Sequence, residues 1–151
     1  MNLSLNNIGR TALCAPALAL AMQAQAGFQV SGTELLDANG NPFVMRGVNH
    51  PHAWFTHRTE QAFQDIASVG ANSVRVVLAD GQQWPRNSAA EVAQIIEWAK
   101  DNHMITILEV HDATGYPESE GAGTLANVVD YWLDIASVLE GQEDYVIINI
   151  A

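Results

Sequence analysis

Nearly every residue is apolar in Ser73-Val74-Arg75-Val76-Val77-Leu78, in Met104-Ile105-Thr106-Ile107-Leu108-Glu109-Val110 and in Tyr145-Val146-Ile147-Ile148-Asn149-Ile150. A strand with one wet face alternates apolar and polar residues. Runs like these need cover on both faces, which is the situation of a parallel sheet under helices. Segments of helical period lie between them. Thr59 to Val69 aligns Ala62, Phe63, Ile66 and Val69 ahead of Gly70. Ser88 and Glu91 form a capping-box pair before Val92, Ile95, Ile96 and Ala99. From Thr124, residues Leu125, Val128, Val129, Trp132, Ala136 and Leu139 line up before Gly141.

Counting a further strand from Phe43, the strands begin near Phe43, Asn72, Met104 and Tyr145, which are 29, 32 and 41 residues apart. A barrel of eight βα units in about 250 residues averages about 31 residues per unit. The spacing therefore predicts an α/β fold of about four βα units, the N-terminal half of a (β/α)8 barrel (TIM barrel). A leading β-hairpin is predicted from Phe28 to Val30 and Leu35 to Leu36, and Asn39-Gly40 is the strongest turn pair after it.

Residues 1–26 read as a secretory signal peptide. Arg10 supplies a positive start, Thr11 to Met22 an apolar stretch, and Ala24-Gln25-Ala26 a cleavage site. The stretch is too short to span a bilayer and contains Pro16. The protein is thus expected to be secreted, with residues 27–151 forming one truncated catalytic domain. Cys14 is the single cysteine, so that domain has no disulfide. Without residues 1–26 the chain holds five basic and 17 acidic residues, a net charge of −12. Nucleic acid and anionic membranes draw their affinity from Lys and Arg, and this balance argues against both as partners.

Strand alternation sorts the polar residues. Ser73, Arg75 and Val77 share one face; Ile105, Ile107, Glu109 and His111 share another. Arg75 and Glu109 are charges on apolar strands and should point into the barrel. Left unpaired there they would be costly, so they are expected to pair with each other or with another active-site carboxylate. His111 and Asp112 follow at the carboxyl end of the strand, where barrels carry their chemistry. The loops after the strands hold His50, Trp54, Trp84, Asp112 and Tyr116, a mixture of rings and polar groups suited to sugars. Trp98 and Trp132, within helices, are expected to pack in the core. His50, His52 and His57 do not fall on one regular element, so no metal is expected, and no cofactor. Gly47-Val48-Asn49-His50-Pro51 has no G-x-G-x-x-G pattern, which argues against a nucleotide-binding open sheet.

Three strings appear in order: Val44-Met45-Arg46-Gly47-Val48-Asn49-His50, Gly70-Ala71-Asn72-Ser73-Val74-Arg75-Val76-Val77-Leu78 and Leu108-Glu109-Val110-His111-Asp112. Together they resemble glycoside hydrolase family 5, the cellulase family. The bacterial endo-β-1,4-mannanases are the nearest group, through Val110 to Tyr116, Val129 to Trp132 and Gly141 to Ile150. The resemblance implies retaining hydrolysis of β-1,4-mannan by a (β/α)8 barrel. It implies that Arg75 holds the nucleophilic carboxylate, that His111 lies beside the sugar being cleaved and that Glu109 is a supporting acid. The family mechanism uses two glutamates about 5–5.5 Å apart. One lies in an Asn-Glu-Pro motif directly after a strand like Tyr145–Ala151 and the other on the seventh strand. Both are therefore expected beyond Ala151, and the polypeptide alone is expected to be inactive. A β-1,4-glucanase of the same family, or a non-catalytic polysaccharide-binding half-barrel, are the alternatives.

Overall fold

The computed structural model describes residues 27–151. The expected signal peptide, with Arg10 and Cys14, lies outside the described residues. The leading hairpin pairs β1 (Gln29–Ser31) with β2 (Glu34–Leu36), antiparallel, with Val30 opposite Leu35. Gly32 has a φ of 61° in its turn, where a side chain is disfavoured. The Gly27 N–H donates to Asp144 Oδ1 at 2.8 Å, tying the hairpin to the start of the last strand.

The main sheet contains β3 (Gly47–His50), β4 (Ser73–Leu78), β5 (Ile105–Val110) and β6 (Val146–Asn149). Its spatial order β3-β4-β5-β6 is the chain order, and every neighbouring pair is parallel. Helices make the crossovers: α1 (Thr59–Ser68), entered through a 3₁₀ turn at Thr56–Arg58, then α2 (Ala89–Asp101), then α3 (Leu125–Asp134) and α4 (Ala136–Leu139). None of the described helices is long and apolar enough to cross a membrane.

One face of the sheet carries the core. Val74, Val76 and Leu78 of β4 and Leu108 and Val110 of β5 pack with Phe63 of α1, Val92, Ile95, Ile96 and Ala99 of α2, and Val128 and Tyr131 of α3. The opposite face is open. Gly47, Asn49, Ser73, Arg75, Ile107, Ile147 and Asn149 line a trough of about 530 Å³ there. Asn49, Arg75, Ile107 and Ile147 stand side by side in register across the strands. A sheet covered by helices on one side and concave on the other is a barrel wall, since a doubly wound sheet has helices on both sides. Gly47 permits β3 to lie close against β4: a Cβ there would run into the Ser73 carbonyl.

Several boundaries differ from expectation. The first strand starts at Gly47 rather than Phe43; Val44 and Met45 are exposed, and Asn72 instead ties down the main chain at Val44 and Arg46 with its side chain. Helix α1 stops at Ser68, and Val69 is 83% exposed rather than facing the core. The third helical segment is broken at Ile135, and its buried residues are Val128, Tyr131 and Ile135. Leu125 and Val129, expected to share the buried face, are both exposed, and Val128, Tyr131 and Ile135 take the side that packs in the core. The capping box on α2 is as expected: Ser88 N–H donates to Glu91 Oε2 at 2.6 Å and Glu91 N–H to Ser88 Oγ at 3.2 Å.

Candidate active site

Glu109 organises the polar cluster at the carboxyl end of the sheet. Its side chain is 2% exposed, and it meets a partner through each oxygen. Oε1 lies 3.0 Å from Nδ1 of His111, and Oε2 lies 3.2 Å from Nη2 of Arg75. The Arg75 contact is an ion pair without hydrogen-bond alignment. The pairing of Arg75 with Glu109 anticipated from alternation is therefore present. A carboxylate can only accept, so the contact with Oε1 is made by the Nδ1–H of His111, and Nε2 faces away from Glu109. The Arg75 Nε–H donates to Asn149 Oδ1 at 3.2 Å, and both residues line the trough. Arg75 thus reaches from β4 across to β6, held by Glu109 of β5 and Asn149 of β6, on the open side of the sheet.

Asn149 was not singled out from the sequence. Alternation along β6 was the available signal: Ile147 and Asn149 share a face, and both line the trough.

The aromatic residues gather above this cluster. Trp84, in the loop after β4, stacks on the His111 ring with centroids 5.6 Å apart and planes at 30°. Trp54, from the turn after β3, meets Trp84 edge-on at 4.9 Å and His111 edge-on at 5.7 Å. Trp54 is still 40% exposed, so the stack presents ring surface to solvent. Tyr116, in the loop after β5, is 43% exposed and makes no ring contact with the stack. The structure thus brings together Arg75, Glu109, His111, Trp54 and Trp84. An apolar wall over fixed polar groups suits a sugar, whose ring faces are apolar and whose edges carry hydroxyls.

Two of the residues expected to contact substrate are buried and bonded within the protein. Asp112 has no exposed surface; its carboxylate accepts the main-chain N–H groups of Asp80, Gln83 and Trp84 at 3.1, 2.6 and 3.3 Å. Those three donors satisfy both of its oxygens. His50 turns the other way, into the helical layer, where it lies 5% exposed against Phe63. Its Nε2 is 2.8 Å from Thr59 Oγ1, which is also 2.6 Å from Nδ1 of His52. A hydroxyl has one proton to give and two lone pairs, so at most one ring receives from it and at least one donates to it. Placing the donor on His50 frees His52 Nε2–H to point at Glu91 Oε1, 3.8 Å away. Burial, helped by the neighbouring His52, lowers the His50 pKa to about 4. Burial also lowers that of His52, against the pull of Glu91. His57 is exposed on the 3₁₀ turn, and no group of three or more His, Cys, Asp or Glu among the described residues is placed to hold a metal ion.

Residues 36–151 match the family described as Cellulase (glycosyl hydrolase family 5). The chain is 59% identical over 130 residues to a mannan endo-1,4-beta-mannosidase of Cellvibrio japonicus, a match covering 86% of this chain and 30% of that protein. It superposes on the β-mannanase of Streptomyces thermolilacinus with mannohexaose at a TM-score of 0.80 and 53% identity, covering 84% of this chain and 42% of that one. The mannohexaose complex of the Thermomonospora fusca β-mannanase gives 0.81 and 52% over the same shares. The chain therefore spans less than half the length of these relatives, and its four-stranded sheet is part of their barrel. Identity at this level, over nearly all the described residues, shows that the chain belongs to glycosyl hydrolase family 5.

Proposed function

We propose that this chain is the N-terminal half of a secreted endo-β-1,4-mannanase that cleaves mannan with retention of configuration. The observation that carries the reading is the Arg75–Glu109–His111 cluster beneath the Trp54–Trp84 pair, at the carboxyl ends of parallel strands. Relatives solved with mannohexaose support mannan as the substrate. In this reading the rings hold sugar units, His111 Nε2 accepts from a hydroxyl of the unit at the cleavage point, and the free side of the Arg75 guanidinium holds the nucleophilic carboxylate. The acid/base and nucleophilic glutamates belong to strands beyond Ala151. Residues 27–151 then supply positioning and charge, and the reacting acids come from the other half.

The test compares this chain with a complete barrel made by continuing the reading frame, each incubated with β-1,4-mannan and β-1,4-glucan while reducing ends are followed. The complete barrel is expected to release manno-oligosaccharides and the present chain nothing. Release by the present chain would place the reacting acids within residues 27–151. Cleavage of glucan without mannan would replace the mannanase reading with the glucanase one.

A further inference from the structure

Asp112 makes contacts that the sugar reading does not use. Its Oδ1 accepts from the N–H groups of Gln83 at 2.6 Å and Trp84 at 3.3 Å, and its Oδ2 from that of Asp80 at 3.1 Å. Its carbonyl accepts from Gln83 Nε2 at 2.6 Å and from the Gly123 N–H at 2.7 Å. One buried residue thus joins the loop after β4, the end of β5 and the approach to α3. The packing behind it is tight: a Cβ at Gly123 would come within 3.1 Å of Gln82 Cβ and 3.3 Å of Asp112 Cβ. The main chain of Trp84 is therefore fixed from the same residue that follows His111, the ring on which Trp84 stacks.

We propose that Asp112 is a positioning residue, which clamps the loop after β4 so that the Trp84 indole lies over His111. The consequence for sugar binding rests on the mannan reading above; the clamp itself does not. A carboxylate suits the task because both its oxygens accept, and the main-chain groups of Asp80, Gln83 and Trp84 that it meets are donors. An asparagine of nearly the same shape would turn an N–H₂ toward some of them. The Asp80 carboxyl also lies beside Asp112, and burial, with Asp112 adding to it, raises the Asp80 pKa.

The test is spectroscopic and needs no catalysis. Trp54 and Trp84 are the indole pair in ring contact among the described residues, with centroids 4.9 Å apart. Two indoles so close couple electronically and give an exciton couplet in far-ultraviolet circular dichroism. The couplet is expected in the full 151-residue chain and should vanish in Trp84→Phe, which assigns it. Asp112→Asn is expected to lose most of the couplet while the helix signal persists. A folded Asp112→Asn chain with the full couplet overturns the proposal, as does a wild-type chain with none. If Asp112→Asn fails to fold, Gln83→Ala removes only the strap to the Asp112 carbonyl. It should weaken the couplet and make it melt before the helix signal; an unchanged couplet overturns the clamp. Mannohexaose titration separates the two readings: loss of the couplet in Asp112→Asn, with no sugar binding by wild type, sustains the clamp and sinks the mannan reading.

Discussion

Glu109 is the residue on which the site turns, because it fixes a cation on one side and an imidazole on the other. Replacing Arg75 with Ala in a complete barrel should lower kcat by about 100-fold or more, the scale for losing one preorganised charge, with a much smaller change in KM. Wild-type kcat in that variant would remove Arg75 from the chemistry. Trp84→Ala should act the other way, raising KM with kcat nearly kept; an unchanged KM would make the ring a packing residue. His50 makes a different demand. Its pKa, lowered to about 4, means that the unfolded chain binds more protons than the folded one between about pH 6.5 and pH 4. Stability contributed here is complete above about pH 6.5 and declines as the pH falls toward 4. Urea unfolding across that range should show the decline, and Thr59→Val, which strands two buried ring nitrogens, should cost about 2–3 kcal/mol at neutral pH. At this scale the pairing of Arg75 with Glu109 was legible in strand alternation, since two opposite charges on one face of adjacent apolar strands have few other solutions. The burial of Asp112 and His50 was not. Both lie where a strand gives way to a loop, and whether such a side chain faces substrate or main-chain donors depends on the path of neighbouring loops that local pattern does not contain.

At the scale of elements, β4 and β5 were the most legible. Their near-continuous apolar runs admit few arrangements other than a buried parallel strand. Helix α2 was legible too, since its cap and apolar stripe agree. Ser88→Ala should remove the half of the capping box that the Ser88 hydroxyl accepts, leave the Ser88 N–H bonded to Glu91 Oε2, and cost about 1 kcal/mol in urea unfolding; no loss would mean that the hydroxyl contributes nothing to α2. The helix after β5 was read less well. Its apolar residues fall on more than one face, and the stripe through Leu125 and Val129 competes with the one through Val128, Tyr131 and Ile135. Periodicity cannot choose between two apolar faces when each is ready for burial. The choice is made by the sheet, which receives Tyr131 into the core and leaves Leu125 outside.

At the scale of the whole molecule, the sheet ends at β3 and β6 with no further strand among the described residues, and apolar side chains stand exposed near both edges. Val48 is 55% exposed and Ile148 is 48% exposed. Open parallel edges with apolar flanks favour association. The isolated chain should bind a hydrophobic dye and self-associate with rising concentration. Lysine at Val48 and Ile148 together should reduce both; a monomeric, dye-silent chain would show that the edges are protected in solution. The half-barrel class was legible from strand spacing and uninterrupted apolar runs, and the helix layer on one face of the sheet follows from that class. The claim that joins all scales is that the rings over His111 hold mannan. Its most direct test is the indole emission of this chain during titration with mannohexaose and, separately, with cellohexaose. The expected result is a saturable change with mannohexaose, larger than with cellohexaose and lost in Trp84→Ala. A folded chain whose emission is indifferent to mannohexaose would contradict it.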